Sequence, residues 1–217
     1  AIPDFYGKED ITFHELNSDF IATFDLFLKT EAGLCRNTIV RYMKCFKRIT
    51  NMALAKEWMR KDPFYGYKMA QDETDPVFLT YPELKSIMEK EFTIPRLALV
   101  RDIFVFAAFT GLAFADVSTL TKDNLVQDNN GDWWIRKGRV KLERRHRASS
   151  VCNIPLLPVP LAILKKYEEH PICRKKSLCL PVICNQRMNS YLKEIADLCN
   201  IRKNLTTHTA RHSTSLF

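Results

Sequence analysis

The chain has 217 residues, of which 46% are hydrophobic and 27% charged, and its formal net charge is +8. The length suits one or two domains with buried cores, and no apolar run reaches the roughly 20 residues that a membrane-spanning helix needs. The first residues lack the basic and apolar regions of a secretory signal. These features predict a soluble, cytoplasmic protein, and the basic balance favours a polyanionic partner such as nucleic acid.

Seven cysteines stand at irregular intervals, and an odd number does not suit a disulfide framework. Reduced thiols, as in a cytosol, fit this pattern better. A zinc site is one arrangement of His170, Cys173, Cys179, Cys184 and Cys199, but no Cys-x-x-Cys pair is present. We therefore expect the thiols to pack as small apolar groups, and we predict no metal or other cofactor.

Helical patterns fill the first third of the chain. Thr12 and Glu15 have capping-box spacing ahead of an apolar face formed by Leu16, Phe20, Phe24, Phe27 and Leu28. Asn37 is a candidate N-cap for a second helix, and a third short helix is predicted from Met52 to Met59. The second helix carries a basic row beside its apolar face, made of Arg36, Arg41, Lys44, Lys47 and Arg48. This row is either a solvated helix face or a surface that binds phosphates.

Residues 66–77 are polar, lack hydrophobic periodicity and contain Pro76. They are predicted to link two domains, a helical domain over residues 1–65 and a second domain over residues 78–217.

The second domain combines helices with short strands. Thr80 and Glu83 form another capping box, with Pro82 in the first turn. Residues 97–110 are almost wholly apolar up to Gly111 and predict a helix at the centre of a core, followed by a short helix over 114–120. A turn signal at 129–132 precedes a strand pattern at 133–136, and a second strand pattern follows at 150–156. Helical patterns return at 159–169 and 186–199, so the predicted fold class is mainly α with a small antiparallel β-sheet (α+β).

Two constellations carry candidate chemistry. Seven of residues 136–147 are Lys or Arg and only Glu143 is acidic, which fits either a hairpin tip that reaches phosphates or a solvated loop. His208 and Arg211 stand three residues apart, on one side of a helix. An arginine fork binds phosphate oxygens and a nearby imidazole exchanges protons, although many such pairs on helix surfaces have no role.

In their order along the chain, three elements resemble the tyrosine recombinase (phage integrase) family. They are Thr110-Gly111-Leu112 followed by Asp116, the basic hairpin ahead of Asn153-Ile154-Pro155-Leu156, and His208-Thr209-Ala210-Arg211-His212. The resemblance covers nearly the whole chain. It implies a SAM-like core-binding domain in residues 1–65 and, in residues 78–217, a catalytic domain that is truncated at its C-terminus.

The resemblance also implies roles for single residues. Arg211 matches the second arginine that clamps the scissile phosphate, and His208 matches the histidine that assists proton transfer. Lys141 matches the hairpin lysine that protonates the leaving 5′ oxygen, and Asp116 matches the acidic residue that supports the site. The expected DNA contacts are the basic row of the second helix together with Arg136, Lys137, Arg139, Arg144, Arg145 and Arg147.

Two departures from the family pattern matter. The family's first arginine follows Thr-Gly-Leu directly, but this chain has Ala113 there. Arg101 and Arg139 are candidate substitutes, while pairing of Arg101 with Asp102 or Asp116 is the structural alternative. The chain also stops at Phe217, ahead of the position of the family's nucleophilic tyrosine, so we expect it to be inactive as it stands.

For a complete protein, the resemblance implies DNA breakage and rejoining through a 3′-phosphotyrosyl intermediate, without metal or nucleotide. The implied partner is double-stranded DNA at recombination sites of a mobile element or chromosome, with assembly into a tetramer on that DNA and no membrane partner. A bacterial, nucleoid-associated location within the cytoplasm follows from this role.

Three alternatives stay open. A non-catalytic DNA-binding protein on the same fold also explains Ala113. A type IB topoisomerase or a telomere resolvase uses the same chemistry, although the small size and separate helical domain favour a recombinase. A helical module that binds acidic proteins is the third, and weak, salt-insensitive DNA binding would support it.

Overall fold

The computed structural model describes residues 5, 7, 10–138 and 151–214. The chain divides into two compact units, Ala1–Asp75 and Pro76–Phe217, and each has its own hydrophobic core. The architecture is mostly helical with a three-stranded antiparallel sheet in the second unit. The predicted α+β fold class is therefore confirmed.

The first unit begins with helix α1, Ser18–Thr30. The capping box of Thr12 and Glu15 forms, with the Thr12 hydroxyl 2.8 Å from Oε2 of Glu15, but it closes a turn that precedes the helix. The helix itself is capped by Asn17, whose Oδ1 accepts a hydrogen bond from the Phe20 N–H at 2.8 Å. Leu16 therefore lies before α1 rather than on its apolar face.

Helix α2, Arg36–Ala55, is a single helix of 20 residues. The separate helix predicted from Met52 to Met59 is wrong, because α2 continues to Ala55 and the chain then turns at Glu57, which has a φ of 59°. The predicted cap is also wrong, since Cys35 occupies the N-cap position. Asn37 instead exchanges two hydrogen bonds with the backbone of Asp72, at 2.9 and 3.0 Å.

Residues 64–72 fold back over α1 and α2. Phe64 is buried in the first core, and the Tyr67 hydroxyl donates to Oδ1 of Asp25 at 2.6 Å. Burial, together with this hydrogen bond, raises the pKa of Tyr67 to about 12. The first half of the predicted linker is thus fixed to the first unit, and residues 73–78 follow it as an exposed stretch without helix or strand.

The second unit is built around helix α4, Pro95–Thr110, in which ten residues are buried. Helix α3, Tyr81–Glu89, precedes it and starts at the predicted capping box of Thr80 and Glu83. Gly111 ends α4 with a φ of 65°, a left-handed conformation that glycine adopts at little cost. The short helix α5, Phe114–Ser118, follows directly.

The sheet has the order β1-β2-β3, with both pairs antiparallel. A 3₁₀ turn, Lys122–Asn124, leads into β1, Leu125–Gln127, a three-residue strand that the sequence pattern did not indicate. β2 is Trp133–Gly138 and β3 is Val151–Pro155, close to the predicted strands. Ile135 is fully buried on the core side of β2.

Four further helices complete the second unit: α6, Pro158–Tyr167; α7, Pro171–Lys176; α8, Asn185–Leu198; and α9, Thr207–Ser213. Helices α3, α6, α8 and α9 all pack on α4, so the central position predicted for residues 97–110 is confirmed. Helix α7 was not predicted. Its six residues are too few for a clear helical period.

The cysteines differ in their surroundings. Cys173 and Cys179 are buried, and burial raises the pKa of both thiols, which suits packing rather than reactivity. Cys184 was expected to be packed among apolar residues but is exposed at the N-cap of α8. Over residues 10–138 and 151–214, no three His, Cys, Asp or Glu side chains are grouped to hold a metal ion. In the same segments, no helix combines the length and apolarity that would let it cross a membrane.

Candidate functional site

Helix α9 carries the pair of residues with the clearest candidate chemistry. Thr206 caps it reciprocally with Thr209, so that the short helix has a defined start. Thr209, Ala210 and Ser213 are buried, whereas His208 is exposed and Arg211 is half-buried. The prediction that His208 and Arg211 lie on one side of a helix is confirmed.

The N-terminus of α9 is fixed by two asparagine side chains from the first turns of α8. Oδ1 of Asn189 accepts a hydrogen bond from the Thr207 N–H, and Oδ1 of Asn185 accepts one from the Thr207 hydroxyl, both at 2.9 Å. Asn185 and Asn189 are four residues apart and therefore share one face of α8. Sequence reasoning missed these residues, and their spacing was the available signal.

The far end of α9 lies against the end of α4. A Cβ atom placed on Gly111 would be 3.3 Å from Cγ2 of Thr214, so glycine allows both the turn and the close approach of α9. Because ten residues of α4 are buried, this contact holds the end of α9, three residues beyond Arg211, against the core. The glycine after Thr110 thus has a structural role in holding the candidate site together.

The outward face of α9 carries an arginine and two histidines. Across the part of the chain that the structure describes, the Arg211 guanidinium has no hydrogen bond or ion pair with another side chain. The rings of His208 and His212 pack edge to face, with centroids 4.3 Å apart. A half-buried arginine beside two imidazoles attracts an anion, and its planar fork matches the oxygens of a phosphate.

Helix α5 brings the other motif residues close to the end of α4. Asp116 is 4% exposed, so its carboxyl is inside the fold. Ala113 is the N-cap of α5 and makes no side-chain capping bond. The position where the family has its first arginine therefore presents a methyl group, which offers no donor to a phosphate.

Arg101, a candidate substitute for that arginine, is bonded within the protein. Its Nε donates to Oδ1 of Asp102 at 2.6 Å, and its Nη1 donates to the carbonyls of Met88 and Lys90 at 3.1 and 2.8 Å. The pairing with Asp102 that the sequence offered as an alternative is the one observed. The guanidinium is thereby held at the C-terminal end of α3. Arg101 itself lies nine residues before Thr110 on α4, which corresponds to about 13 Å along the helix.

The buried carboxylate of Asp102 accepts hydrogen bonds from three side chains. Besides Arg101 it accepts hydrogen bonds from Nζ of Lys166 at 2.7 Å and from the Tyr167 hydroxyl at 2.8 Å. Burial and the bond to Asp102 raise the pKa of Tyr167. This tyrosine is therefore held in its protonated form within the core, which is unsuited to a nucleophile.

The predicted basic hairpin is described in part. Arg136 is exposed on β2, while Nζ of Lys137 donates to the carbonyl of Thr119 at 2.9 Å and so ties the strand to the end of α5. The Lys137 side chain, which is predicted to contact DNA, thus also has a contact within the protein. Residues 139–150 lie outside the described residues, and with them Arg139, Lys141, Arg144, Arg145 and Arg147.

The basic row of α2 divides into two groups. Arg41, Lys44 and Arg48 are exposed on one side of the helix, and Nζ of Lys44 also donates to Oε1 of Gln71 at 3.1 Å. Nη1 of Arg36 instead donates to both carboxylate oxygens of Asp25, at 2.9 and 3.1 Å, while Nη2 and Nε donate to the carbonyls of Lys68 and Ala70. Lys47 is half-buried, with Nζ 5.7 Å from the centroid of the Phe64 ring. Arg36 and Lys47 therefore hold the first unit together.

Comparison with known proteins is consistent with this organisation. Residues 1–69 match the family model of the phage integrase SAM-like domain. The sequence matches no curated protein.

Solved structures show the same fold. The XerH site-specific recombinase bound to a palindromic difH substrate, in a post-cleavage complex, superposes with a TM-score of 0.67 at 17% identity over 98% of this chain. A lambda integrase dimer bound to a COC′ core site gives 0.72 at 13% identity over 96% of this chain and 73% of the integrase chain. The Tn1549 transposon integrase in complex with a circular intermediate DNA gives 0.66 at 16% identity over 93% of this chain and 72% of its own.

At these identities the likeness establishes the fold, which is that of the tyrosine recombinases. The chain spans 64% of the length of the XerH chain.

Proposed function

We propose that this chain is the DNA-binding and catalytic part of a site-specific tyrosine recombinase, which breaks and rejoins DNA through a 3′-phosphotyrosyl intermediate. The observation that carries the proposal is α9, which presents His208 and an unpartnered, half-buried Arg211 among the described residues of a recombinase fold. The whole protein's substrate is then double-stranded DNA at recombination sites, and its working form is a tetramer on that DNA.

In this role, Arg211 binds the non-bridging oxygens of the scissile phosphate. Two parallel N–H···O bonds orient the phosphate and stabilise the charge that develops on it in the transition state. His208, exposed beside it, holds or moves a proton at the same phosphate. The buried Asp116 supports the end of α4 from inside, and Lys141 is proposed as the acid that protonates the leaving 5′ oxygen.

The exposed cations of α2 supply the proposed DNA surface of the first unit. Arg41, Lys44 and Arg48 occur at intervals of three and four residues, so they share one face and meet the sugar-phosphate backbone together. Arg136 is the corresponding exposed cation on β2. Arg36, Lys47 and Lys137 stay predicted DNA contacts, and each also has a contact within the protein.

The nucleophilic tyrosine is proposed to lie outside the described residues. Tyr67 and Tyr167 have raised pKa values and donate to buried or half-buried aspartates. The ring of Tyr191 packs under the guanidinium of Arg96, with the carbon of that group 4.7 Å from the ring centroid. None of these three belongs to α9 or to the loops beside it.

The deciding experiment uses nicked duplexes that carry candidate recombination sites. The 217-residue chain and the longest natural form of the protein are each incubated with them, and products are examined for adducts that survive SDS. We expect both proteins to bind the duplex and only the longer form to give an adduct, which Arg211→Ala abolishes. Tight binding of a site by the longer form without any adduct would refute the catalytic proposal.

One observation favours a second candidate, a DNA-binding protein on this fold without catalytic activity. Ala113 provides no guanidinium, and Arg101 is held elsewhere by Asp102. Within the described residues, Arg211 is therefore the one arginine that we place at the scissile phosphate. The adduct assay separates the two candidates, since the second predicts binding without covalent chemistry.

The proposed location is the bacterial cytoplasm, in association with the nucleoid. It follows from the proposed DNA substrate and from the net charge of +8. Crosslinking the protein to chromosomal DNA in intact cells tests it, because a protein with an acidic protein partner would not be recovered with DNA.

A further inference from the structure

The C-terminal turn of α9 is joined to the segment that begins the second unit by a buried hydroxyl. The Ser213 Oγ accepts a hydrogen bond from the Leu79 N–H at 2.9 Å and donates one to the carbonyl of Thr209, also at 2.9 Å. Ser213 and Leu79 are both fully buried. Residues 134 positions apart are therefore connected through one oxygen atom that water does not reach.

A second set of contacts joins the same segment to the loop that leads into α9. Nζ of Lys203 donates to Oε2 of Glu83 at 2.7 Å and lies 5.7 Å from the centroid of the Phe78 ring. The segment from Phe78 to Glu83 thus contacts the chain just before α9 through Lys203 and the end of α9 through Ser213.

Helix α9 depends on such contacts for its position. Seven residues are too few to form a stable helix alone, so neighbouring elements decide how it is oriented. Ser213 lies two residues beyond Arg211, and its partner Thr209 lies two residues before it. The hydrogen bonds that Ser213 makes with Leu79 and Thr209 (the Leu79 bridge) therefore hold the turn of helix from which the Arg211 side chain projects.

We propose that Ser213 is a positioning residue for Arg211, acting through the backbone N–H of Leu79. The proposal rests on the function proposed above, in which Arg211 binds a DNA phosphate. Without the hydroxyl, the Leu79 N–H is buried with no acceptor, and the last turn of α9 moves or opens to let water reach it. Arg211 then loses the orientation that a bidentate contact to a phosphate needs.

Two substitutions separate the hydrogen bond from the space that the side chain fills. Ser213→Ala removes the oxygen and leaves a small void, whereas Ser213→Cys fills the space with a somewhat larger atom that is only a weak acceptor. A role in packing alone predicts that the two variants differ, because one leaves a void and the other fills it, whereas a role of the hydrogen bond predicts the same loss in both. Thr50→Val is the matched control, because the Thr50 hydroxyl is also fully buried but bonds only to Lys47 within its own helix.

The first measurement is amide hydrogen exchange without DNA. We expect Ser213→Ala and Ser213→Cys to speed exchange at Leu79 and at Arg211 by about tenfold, with α8 unchanged and Thr50→Val without effect on α9. Unchanged exchange at Arg211 in both Ser213 variants would show that the bridge does not hold α9. That result would overturn the inference whatever the protein does with DNA.

The second measurement is a double-mutant cycle in affinity for a short duplex at low salt. With Arg211 present, each Ser213 variant should weaken binding by about fivefold, and with Arg211→Ala the same variants should have almost no effect. Equal losses in both backgrounds would mean that Ser213 does not act through Arg211, and the inference would be wrong. Failure of the unaltered chain to bind any duplex would instead refute the proposed function, while the exchange data would still decide whether Ser213 holds α9.

Discussion

At the scale of single residues, the face of α2 on which a basic side chain lies decides whether that side chain is exposed or packed within the protein. Arg36 and Lys47 share the face of α2 that buries Val40 and Met43, since these four positions follow one another at intervals of four, three and four. Arg41 and Arg48 lie on a different side. The spacing was readable in the sequence, but the partners were not, because Asp25 and Phe64 meet α2 only after the chain folds back.

This division predicts opposite effects for two arginines of one helix. Arg48→Gln should leave the free energy of unfolding nearly unchanged and reduce the slope of log affinity for duplex DNA against log salt by about 1. Arg36→Gln should lower the free energy of unfolding by about 2 kcal/mol, because it leaves Asp25 half-buried without its cation. Urea unfolding and salt-dependent binding measure the two effects, and a common outcome for both variants would contradict the assignment.

At the scale of helices and strands, it was easier to predict that an element exists than to predict the residues at which it begins and ends. The long apolar run predicted α4, and the Thr80 box predicted the start of α3, because both signals are local. The start of α1 was missed because Asn17 competes with Thr12 as a cap, and local sequence does not rank the two. Within the site, the helix carrying His208 and Arg211 was predictable, but its anchors on α8 and at Leu79 depend on tertiary packing.

The junction of α4 with α9 gives a prediction about glycine. Gly111→Ala should destabilise the second unit by about 2 kcal/mol, since alanine pays for a left-handed φ and also presses on Thr214. Gly131→Ala in the same unit is the control, because its φ is 88° but its nearest neighbour, Nε2 of Gln127, is 3.6 Å away. We expect about 1 kcal/mol there, and equal losses in thermal unfolding would rule out the close approach of α9.

The contact of Lys203 with Glu83 gives a prediction about acid stability. Burial opposes ionisation of Glu83, but hydrogen bonds from Lys203 and Thr80 outweigh it and hold the pKa of this carboxyl below its ordinary value of 4.5. A lowered carboxyl pKa stabilises the fold above that value, and the stabilisation is lost as the pH falls through the folded-state pKa. Lys203→Gln should therefore flatten the fall in stability below about pH 4.5.

The matched control for that experiment is Lys85→Gln. Lys85 pairs with Glu89 at 3.6 Å, but more than half of each side chain is exposed, so water screens the pair. Lys85→Gln should therefore leave the fall in the free energy of unfolding at low pH unchanged. If both variants gave the profile of the unaltered protein, the bond between Lys203 and Glu83 would not contribute to the pH dependence.

At the scale of the whole molecule, the chain consists of two units with separate cores. Composition and the polar stretch before Phe78 predicted this division, although the first unit extends beyond the predicted end at residue 65. The reason is that Arg36, Asn37 and Lys44 bind residues 68–72, and a backbone held by side chains from α2 cannot be recognised from local sequence.

Limited proteolysis tests the division. Residues 73–78 are exposed and lie outside helices and strands, so an endoproteinase that cleaves after glutamate should cut first after Glu73. We expect two fragments that keep their helical circular dichroism after separation. Glu83 is the internal control, because its contacts with Lys203 and Thr80 should protect it. Initial cleavage within α3 or α4, or unfolded fragments, would contradict two independent cores.

The packing of α9 on α4 has a consequence for the order of folding during synthesis. The first unit is complete once residue 75 has left the ribosome, and domains generally fold as they emerge. Helix α4 emerges after α3, but the face of α4 that contacts α9 stays uncovered until about 100 further residues have been synthesised. During that interval its apolar side chains are exposed, so a chaperone that binds nascent apolar segments should engage α4 until α9 arrives and brings His208 and Arg211 into place.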